Sequence, residues 1–180
     1  MEYKYLLELL RSGLYAEFFE DFHNAAIPFL DPEVYGRSIY ENSSFLVSSV
    51  YPNKAIHGKG FVARLSGSTV EFISMWKRML FGAHVLRMQK GELCFTPEPA
   101  VGQYLIPDDG IVSATLFGCV KLSYHFSEKK DYIPGQYSIR SMRFVYADGE
   151  LRTVEGGCAG GDIPEDLRCG KITEVTVEIL

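Results

Sequence analysis

The chain has 180 residues, of which 47% are hydrophobic and 23% charged, and its net charge is −5. This composition is typical of a globular protein, and the negative charge disfavours a general nucleic-acid binder, which presents a basic surface. No apolar run reaches the roughly 18 residues of a membrane-spanning helix, and the N-terminus lacks the small-residue cleavage site of a signal peptide, so no membrane association and a cytoplasmic location are expected.

The first third of the chain is predicted to form a helix followed by a long loop. Apolar residues recur at helical spacing between Tyr3 and Phe22, and Gly13 is a point where this helix can divide into two. Pro28 and Pro32 end the helical pattern. The loop that follows, residues 31–60, is rich in Ser, Asn, Gly and Tyr and has no strong period. Loops of this length are often functional.

A second helix is predicted from about Thr69 to Phe81. Two helices alone cannot bury their apolar faces. They need the rest of the chain, a second copy of it or a larger partner chain to cover them. The residues that need such a cover are Leu6, Leu10, Phe19, Phe72, Trp76 and Met79.

From residue 91 the sequence changes to short strand-like runs. Asp148-Gly149 is a strong two-residue turn signal between two of them. Five or more short strands separated by turns favour a β-sandwich or jelly roll, so the fold class is expected to be α+β. The strand-like runs lie at residues 91–99, 111–118, 119–126, 142–157 and 170–180.

The four cysteines do not indicate a metal site. None forms a C-x-x-C pair, and no histidine lies at zinc-binding spacing from them. Cys94 and Cys119 lie in strand-like runs and are expected to pack as small hydrophobic residues.

The turn that precedes the second helix, "RLSGST", has two interpretations. In the first, Ser68 and Glu71 form an S-x-x-E capping box, which is a common start of a helix. In the second, the free N–H groups of the helix start, the Ser66 and Ser68 hydroxyls and the close backbone approach allowed by Gly67 hold an anion such as phosphate. Spacing alone favours capping.

Charged groups that could serve an anion site lie nearby in the sequence. Arg64 immediately precedes the turn, and His57 lies in the loop beside Lys54 and Lys59. A solvated loop histidine is the alternative interpretation of His57.

Three stretches resemble the C-terminal part of the glycoside phosphorylases of glycoside hydrolase family 94. They are "YGRSIYENSSFLVSSVYPNKAIHGKGFVARLSGSTVEFISMW", "MLFGAHVLRMQKGELCFTPEPAVGQYLI" and "YHFSEKKDYIPGQYSI". Within the family, the chain is most similar to the 1,2-β-oligoglucan phosphorylase branch, which is often described as cellobiose-phosphorylase-like.

The resemblance implies an architecture. Residues 1–83 would be the last helices and loops of an (α/α)6 catalytic barrel. Residues 84–180 would be a C-terminal jelly-roll β-sandwich.

The resemblance also implies a reaction and a set of binding residues. Such enzymes cleave a β-glucoside with inorganic phosphate as co-substrate and no cofactor, invert the anomeric centre and release α-glucose 1-phosphate. Ser66, Gly67 and Ser68 match the family's phosphate-binding turn, with Arg64 as a secondary candidate. The remaining candidates, which would line the sugar channel, are Glu41, Asn42, Ser43 and His57.

The family's catalytic aspartic acid lies upstream of the region that this chain resembles. We therefore expect the chain to be a fragment or a subunit that is inactive alone. Two alternatives remain: a structural subunit that completes a barrel with another chain, and a carbohydrate-binding module with Tyr104, Tyr124 and Tyr132 as candidate aromatic contacts. The glucan linkage is open, with β-1,2 favoured through the branch resemblance.

Overall fold

The computed structural model describes residues 2–38, 40–41, 43, 45–62 and 68–180, and for Ser68 it describes the backbone only. The chain divides into two compact units, Met1–Trp76 and Lys77–Leu180, which we call the N-terminal and C-terminal units. The domain boundary expected at residue 83 stays a prediction.

Two helices open the N-terminal unit, as the apolar spacing predicts. They are α1 (Glu2–Arg11) and α2 (Tyr15–Ala25), and Gly13 between them has a positive φ of 75°. This left-handed conformation suits glycine and interrupts the helix, so the expected division at Gly13 is confirmed.

The apolar faces of the helices are largely covered within this single chain. Of the covers considered, the rest of the chain accounts for Leu6, Leu10, Phe19 and Met79, which are buried, whereas Phe72 and Trp76 are half-buried. In the N-terminal unit the reason is direct packing of α1 on α2 and of aromatic rings on one another. The ring of Phe22 lies 6.5 Å from that of Phe72 in a stacked arrangement.

The stretch predicted to be an irregular loop contains several short elements. After a 3-10 turn (Ile27–Phe29) that precedes the stretch, these elements are, in chain order, α3 (Pro32–Tyr35), β1 (Phe45–Leu46), a second 3-10 turn (Lys54–Ile56) and β2 (Gly60–Phe61). The two strands pair antiparallel, which closes the stretch into a folded loop. The helix α4 (Ser68–Phe81) follows and confirms the second predicted helix.

The C-terminal unit is built on one five-stranded sheet, whose strands in spatial order are β5 (Ile111–Leu116), β6 (Val120–Phe126), β9 (Ile172–Ile179), β7 (Ile139–Tyr146) and β8 (Leu151–Glu155). Strands β6 and β9 are parallel, and the other neighbours are antiparallel.

The alternating sequence of these strands gives the sheet one apolar and one polar face. A row of paired residues on the core face runs through Val112, Tyr124, Val177, Met142 and Val154. The neighbouring row, on the outer face, runs through Ser113, Ser123, Thr176, Arg143 and Thr153. Side chains of successive strand residues point to opposite faces, so the pattern follows from period two.

Three elements complete the C-terminal unit. They are the hairpin strands β3 (Leu86–Gln89) and β4 (Glu92–Phe95) and the short helix α5 (Ile163–Arg168), which packs against β4 and β9. The turn predicted at Asp148-Gly149 joins β7 to β8, with φ 90° at Gly149, and is confirmed.

The prediction for one cysteine is wrong. Cys94 is buried as expected, but Cys119 is exposed. It lies in the turn between β5 and β6, where Phe117 and Gly118 both have positive φ, so its side chain is not part of the core.

The α+β class is therefore shown, whereas the jelly roll and the barrel stay predictions. Among the described residues, none of the helices combines the length and the apolar character needed to cross a lipid bilayer.

Candidate functional site

The predicted phosphate-binding turn precedes α4. Arg64, Ser66 and Gly67 lie outside the described residues, so their role stays a prediction. Ser68 is the first residue of α4, whereas the capping interpretation places it immediately before the helix. Helix ends are defined to within one or two residues, so this offset of one residue is compatible with capping as well as with an anion site.

The Glu71 carboxylate, in the first turn of α4, faces a groove within the N-terminal unit. Its Oε2 atom is buried and has no hydrogen-bond partner among the described residues. The groove has a volume of about 350 Å³ and is lined by Lys4, Leu7, Glu8 and Arg11 of α1 and by Val70, Glu71 and Ser74 of α4.

This groove has no preference for an anion. Glu8 and Arg11 form an ion pair, and the remaining charges, Lys4 and Glu71, are of opposite sign. We therefore do not assign phosphate to it. Sequence patterns did not predict the groove, because it depends on how α1 packs beside α4.

Tyr35 organises the folded loop that contains the predicted sugar-channel residues. Its side chain is buried, and its hydroxyl donates a hydrogen bond to the Glu41 carbonyl oxygen at 2.7 Å. The same hydroxyl lies 2.7 Å from Ser43 Oγ, which can donate to it in return. The predicted candidates Glu41 and Ser43 are thus brought to one place.

Arg37 links Glu41 to β2, the second strand of the folded loop. Its Nε donates to the Gly60 carbonyl oxygen at 2.9 Å, and its Nη1 donates to Glu41 Oε2 at 3.3 Å. A carboxylate, a guanidinium and a hydroxyl therefore lie side by side around Tyr35, which is a set of groups able to bind the hydroxyls of a sugar.

His57 is not joined to this group. Its Nε2 lies 2.6 Å from the Tyr51 carbonyl oxygen, so the ring donates to the backbone of its own loop segment. Asn42, the remaining channel candidate, lies outside the described residues.

Aromatic rings are unusually exposed on the same loop. Tyr40 is 93% exposed and Phe45 66%, and Phe61, the register partner of Phe45 across β1 and β2, is 43% exposed. Exposed rings beside hydrogen-bonding groups are typical of surfaces that bind ligands with both apolar and polar parts. Composition hinted at this only through the abundance of tyrosine and phenylalanine.

The aromatic residues considered for a carbohydrate-binding module do not form an exposed row. Tyr124 and Tyr132 are in the core, and burial raises the pKa of Tyr124 well above its ordinary value. Tyr104 is half-buried, and burial raises its pKa as well. The three outer-face registers that pair across all five strands also carry no aromatic side chain.

The structure offers no metal centre in the part of the chain that it describes, where no three His, Cys, Asp or Glu side chains are grouped to hold an ion. The loop carboxylate of Asp31 caps α3 by accepting from the Glu33 N–H at 2.9 Å. Asp109 accepts from the Ile111 N–H at 3.0 Å in a turn.

Comparison with known proteins adds no family assignment. No protein-family model matches the chain, and no curated protein matches it. The residues described above and the resemblance carry the functional proposal.

Proposed function

We propose that this chain supplies the end of the (α/α)6 barrel and the jelly roll of an inverting β-glucan phosphorylase of glycoside hydrolase family 94. The reaction transfers a glucosyl unit from a β-1,2-linked oligoglucan to inorganic phosphate and releases α-glucose 1-phosphate. The family's general acid belongs to a region that this chain does not resemble, so we expect no phosphorolysis by the chain alone.

One observation carries the sugar-binding part of the proposal. Tyr35 binds the Glu41 backbone and the Ser43 hydroxyl, and Arg37 pairs with the Glu41 carboxylate, next in the chain to exposed aromatic rings. Sugars present hydroxyls at their edges and C–H groups on their faces, so they need both kinds of contact. The loop has both, whereas the outer face of the five-stranded sheet has only polar and aliphatic groups.

The phosphate-binding part rests on the position of α4. Strand β2 ends at Phe61, and the predicted turn with Arg64, Ser66 and Gly67 leads directly into a helix of 14 residues. The start of a helix presents free N–H groups and a partial positive charge to an anion. The loop with Glu41 and Ser43 and the predicted phosphate turn are thus consecutive in the chain, and phosphorolysis requires their two ligands to lie close together in space.

Isothermal titration calorimetry with a β-1,2-linked glucooligosaccharide tests the sugar site. We expect Glu41→Gln to weaken binding by roughly tenfold or more, because hydrogen bonds to a charged group are the stronger class. Glu33→Gln, an exposed carboxylate on α3 of the same unit, is the matched control and should bind like wild type. Equal affinity of wild type and Glu41→Gln would contradict the proposed sugar site.

An activity assay tests whether the chain can catalyse phosphorolysis alone. The chain is mixed with the glucooligosaccharide and inorganic phosphate, and α-glucose 1-phosphate is measured. We expect none. Phosphate-dependent product formation by this chain would show that it contains a general acid, and would overturn the expectation that this group lies elsewhere.

The same two ligands distinguish the alternatives. A carbohydrate-binding module would bind the glucan without any contribution from Glu41, and Arg143→Ala on the outer sheet face would be the informative variant. A purely structural subunit would bind neither glucan nor phosphate. Stable association with a larger helical chain would then be its expected property.

A further inference from the structure

Two cysteines lie on either side of a backbone bridge in the C-terminal unit. Phe95 of β4 and Ala159 exchange both backbone hydrogen bonds, at 2.8 and 3.0 Å. In an antiparallel pair of this kind the flanking residues point to the face opposite the paired side chains. Cys94 and Cys158 each flank this bridge, so they share one face and lie diagonally across it.

The Cys158 thiol is near enough to Cys94 to influence its protonation. A side-chain hydrogen bond with Cys158 is the largest cause that raises the pKa of Cys94, followed by burial. The Cys158 thiol donates to Gln89 Oε1 at 3.3 Å. Gly160, opposite Cys94 on the bridge, places no side chain between them.

The two sulfurs differ in their exposure to solvent. Cys94 is 5% exposed, whereas Cys158 is on the surface. An oxidant in solution therefore meets Cys158 first, and Cys94 is positioned behind it as the second thiol. The other two cysteines are placed differently: Cys119 lies in an exposed turn, and the Cys169 thiol donates to Glu165 Oε1 at 3.4 Å.

We propose that Cys94 and Cys158 are a reversible oxidation site, which a low-molecular-weight disulfide such as glutathione disulfide converts into an intramolecular disulfide. The Cys158 thiolate attacks one sulfur of the small disulfide, forms a mixed disulfide and expels one small thiolate. The Cys94 thiolate then attacks Cys158 Sγ and expels the second. Both protons end on the two released small thiols, which take up the two electrons lost by the cysteine pair.

The bond would have a physical consequence for the C-terminal unit. It would join β4 to the segment that leads into α5 and would close a loop that contains β5 to β8. A cross-link over a long loop restricts the unfolded chain, so oxidation should raise the thermal unfolding midpoint by several degrees. Reduction should return the midpoint to its original value.

The test uses the full chain and a Cys119→Ser/Cys169→Ser variant, each equilibrated with mixtures of reduced and oxidised glutathione. The samples are quenched with acid, alkylated and mapped by peptide mass. We expect a linked Cys94–Cys158 peptide in both proteins, with a ratio of linked to free thiol pair that falls as the square of the reduced glutathione concentration at a fixed concentration of oxidised glutathione. In the same background, Cys94→Ala should stop at the mixed disulfide on Cys158.

Two results would overturn the proposal. One is a chain in which Cys158 carries glutathione at every ratio and no linked peptide forms. The other is a linked peptide in wild type that is absent from the Cys119→Ser/Cys169→Ser variant, because the bond would then involve a different cysteine. Mapping wild type in parallel keeps the test decisive even where a variant folds poorly.

Discussion

Gly60→Ala tests whether the folded loop is built around Tyr35. A Cβ atom at position 60 would stand 2.2 Å from Cε2 of Tyr35 and 2.5 Å from Ser43 Oγ, and real Cβ atoms essentially never approach another heavy atom within 3.0 Å. Because atoms in contact need about 3.5 Å, the Tyr35 ring has to move by about 1 Å. That movement takes its hydroxyl away from Glu41 and Ser43.

The expected loss of stability has two parts. Forcing an extra carbon into a packed position costs about 1–3 kcal/mol. Each hydrogen bond of the Tyr35 hydroxyl contributes about 1 kcal/mol more. We therefore expect Gly60→Ala to lower the free energy of unfolding of the N-terminal unit by about 3–5 kcal/mol, well above the average of about 1 kcal/mol for a single substitution.

The assay is urea denaturation followed by tryptophan fluorescence. The single tryptophan of the chain, Trp76, packs against Phe22 and Phe72, so its emission reports on the N-terminal unit. Hydrogen exchange over residues 31–62 should show the loss of protection in the loop itself.

Two control variants separate the causes. Tyr35→Phe removes the hydroxyl alone and should cost about 1–2 kcal/mol. Gly36→Ala adds a carbon in open space, where only the positive φ of 71° is unfavourable, and should cost about 1 kcal/mol. A Gly60→Ala protein that is as stable as Gly36→Ala would refute the proposed packing around Tyr35.

Three further predictions concern the C-terminal unit. The Lys171 ammonium lies 2.7 Å from the Asp166 carboxylate and lowers the pKa of that carboxyl below its ordinary 3.8. The ionised Asp166 carboxylate therefore stabilises the folded state fully above pH 3.8, and this stabilisation is lost as the pH falls towards the folded-state pKa. Asp166→Ala should lower the free energy of unfolding by about 1–3 kcal/mol at pH 7 and by less below pH 3.8. Urea titrations at pH 7 and in that acidic range measure the two losses. Phe144→Ala in the core should cost about 3–5 kcal/mol by denaturation, and a cost under 1 kcal/mol would contradict its burial. Tyr124→Phe, which removes the hydrogen bond to the Leu80 carbonyl oxygen, should cost about 1 kcal/mol in the same assay, and no change would exclude that bond.

Elements with a long repeating pattern could be predicted from sequence. The apolar spacing of α1, α2 and α4 and the alternation of β6 and β9 each extend over many residues, and the structure confirms them. The six-residue helix α5 and the strand β3 are too short to show a period, so they could not be predicted this way.

The wrong prediction for Cys119 has a local cause, whereas the contacts of the folded loop could not be predicted because they join distant residues. Cys119 follows directly in sequence from a strand pattern, but the positive φ values of Phe117 and Gly118 turn the chain just before it. Tyr35 groups Glu41 and Ser43 over at most eight residues, but Arg37 Nε joins this group to the carbonyl oxygen of Gly60, 23 residues later. No local pattern encodes such a contact, because its energy comes from tertiary packing.

The measurement that tests the central claim most directly is an amide NMR titration of the chain with inorganic phosphate, against sodium chloride at equal ionic strength. We predict saturable shifts that concentrate on the residues from Arg64 to Glu71, and their loss in a Ser66→Ala/Ser68→Ala variant. Because hydroxyl donors and helix-start N–H groups would act together there, neither should be dispensable. Shifts that are absent, non-saturable or equal in sodium chloride would contradict a phosphate site at the start of α4, and with it the assignment of a phosphorylase role to this chain.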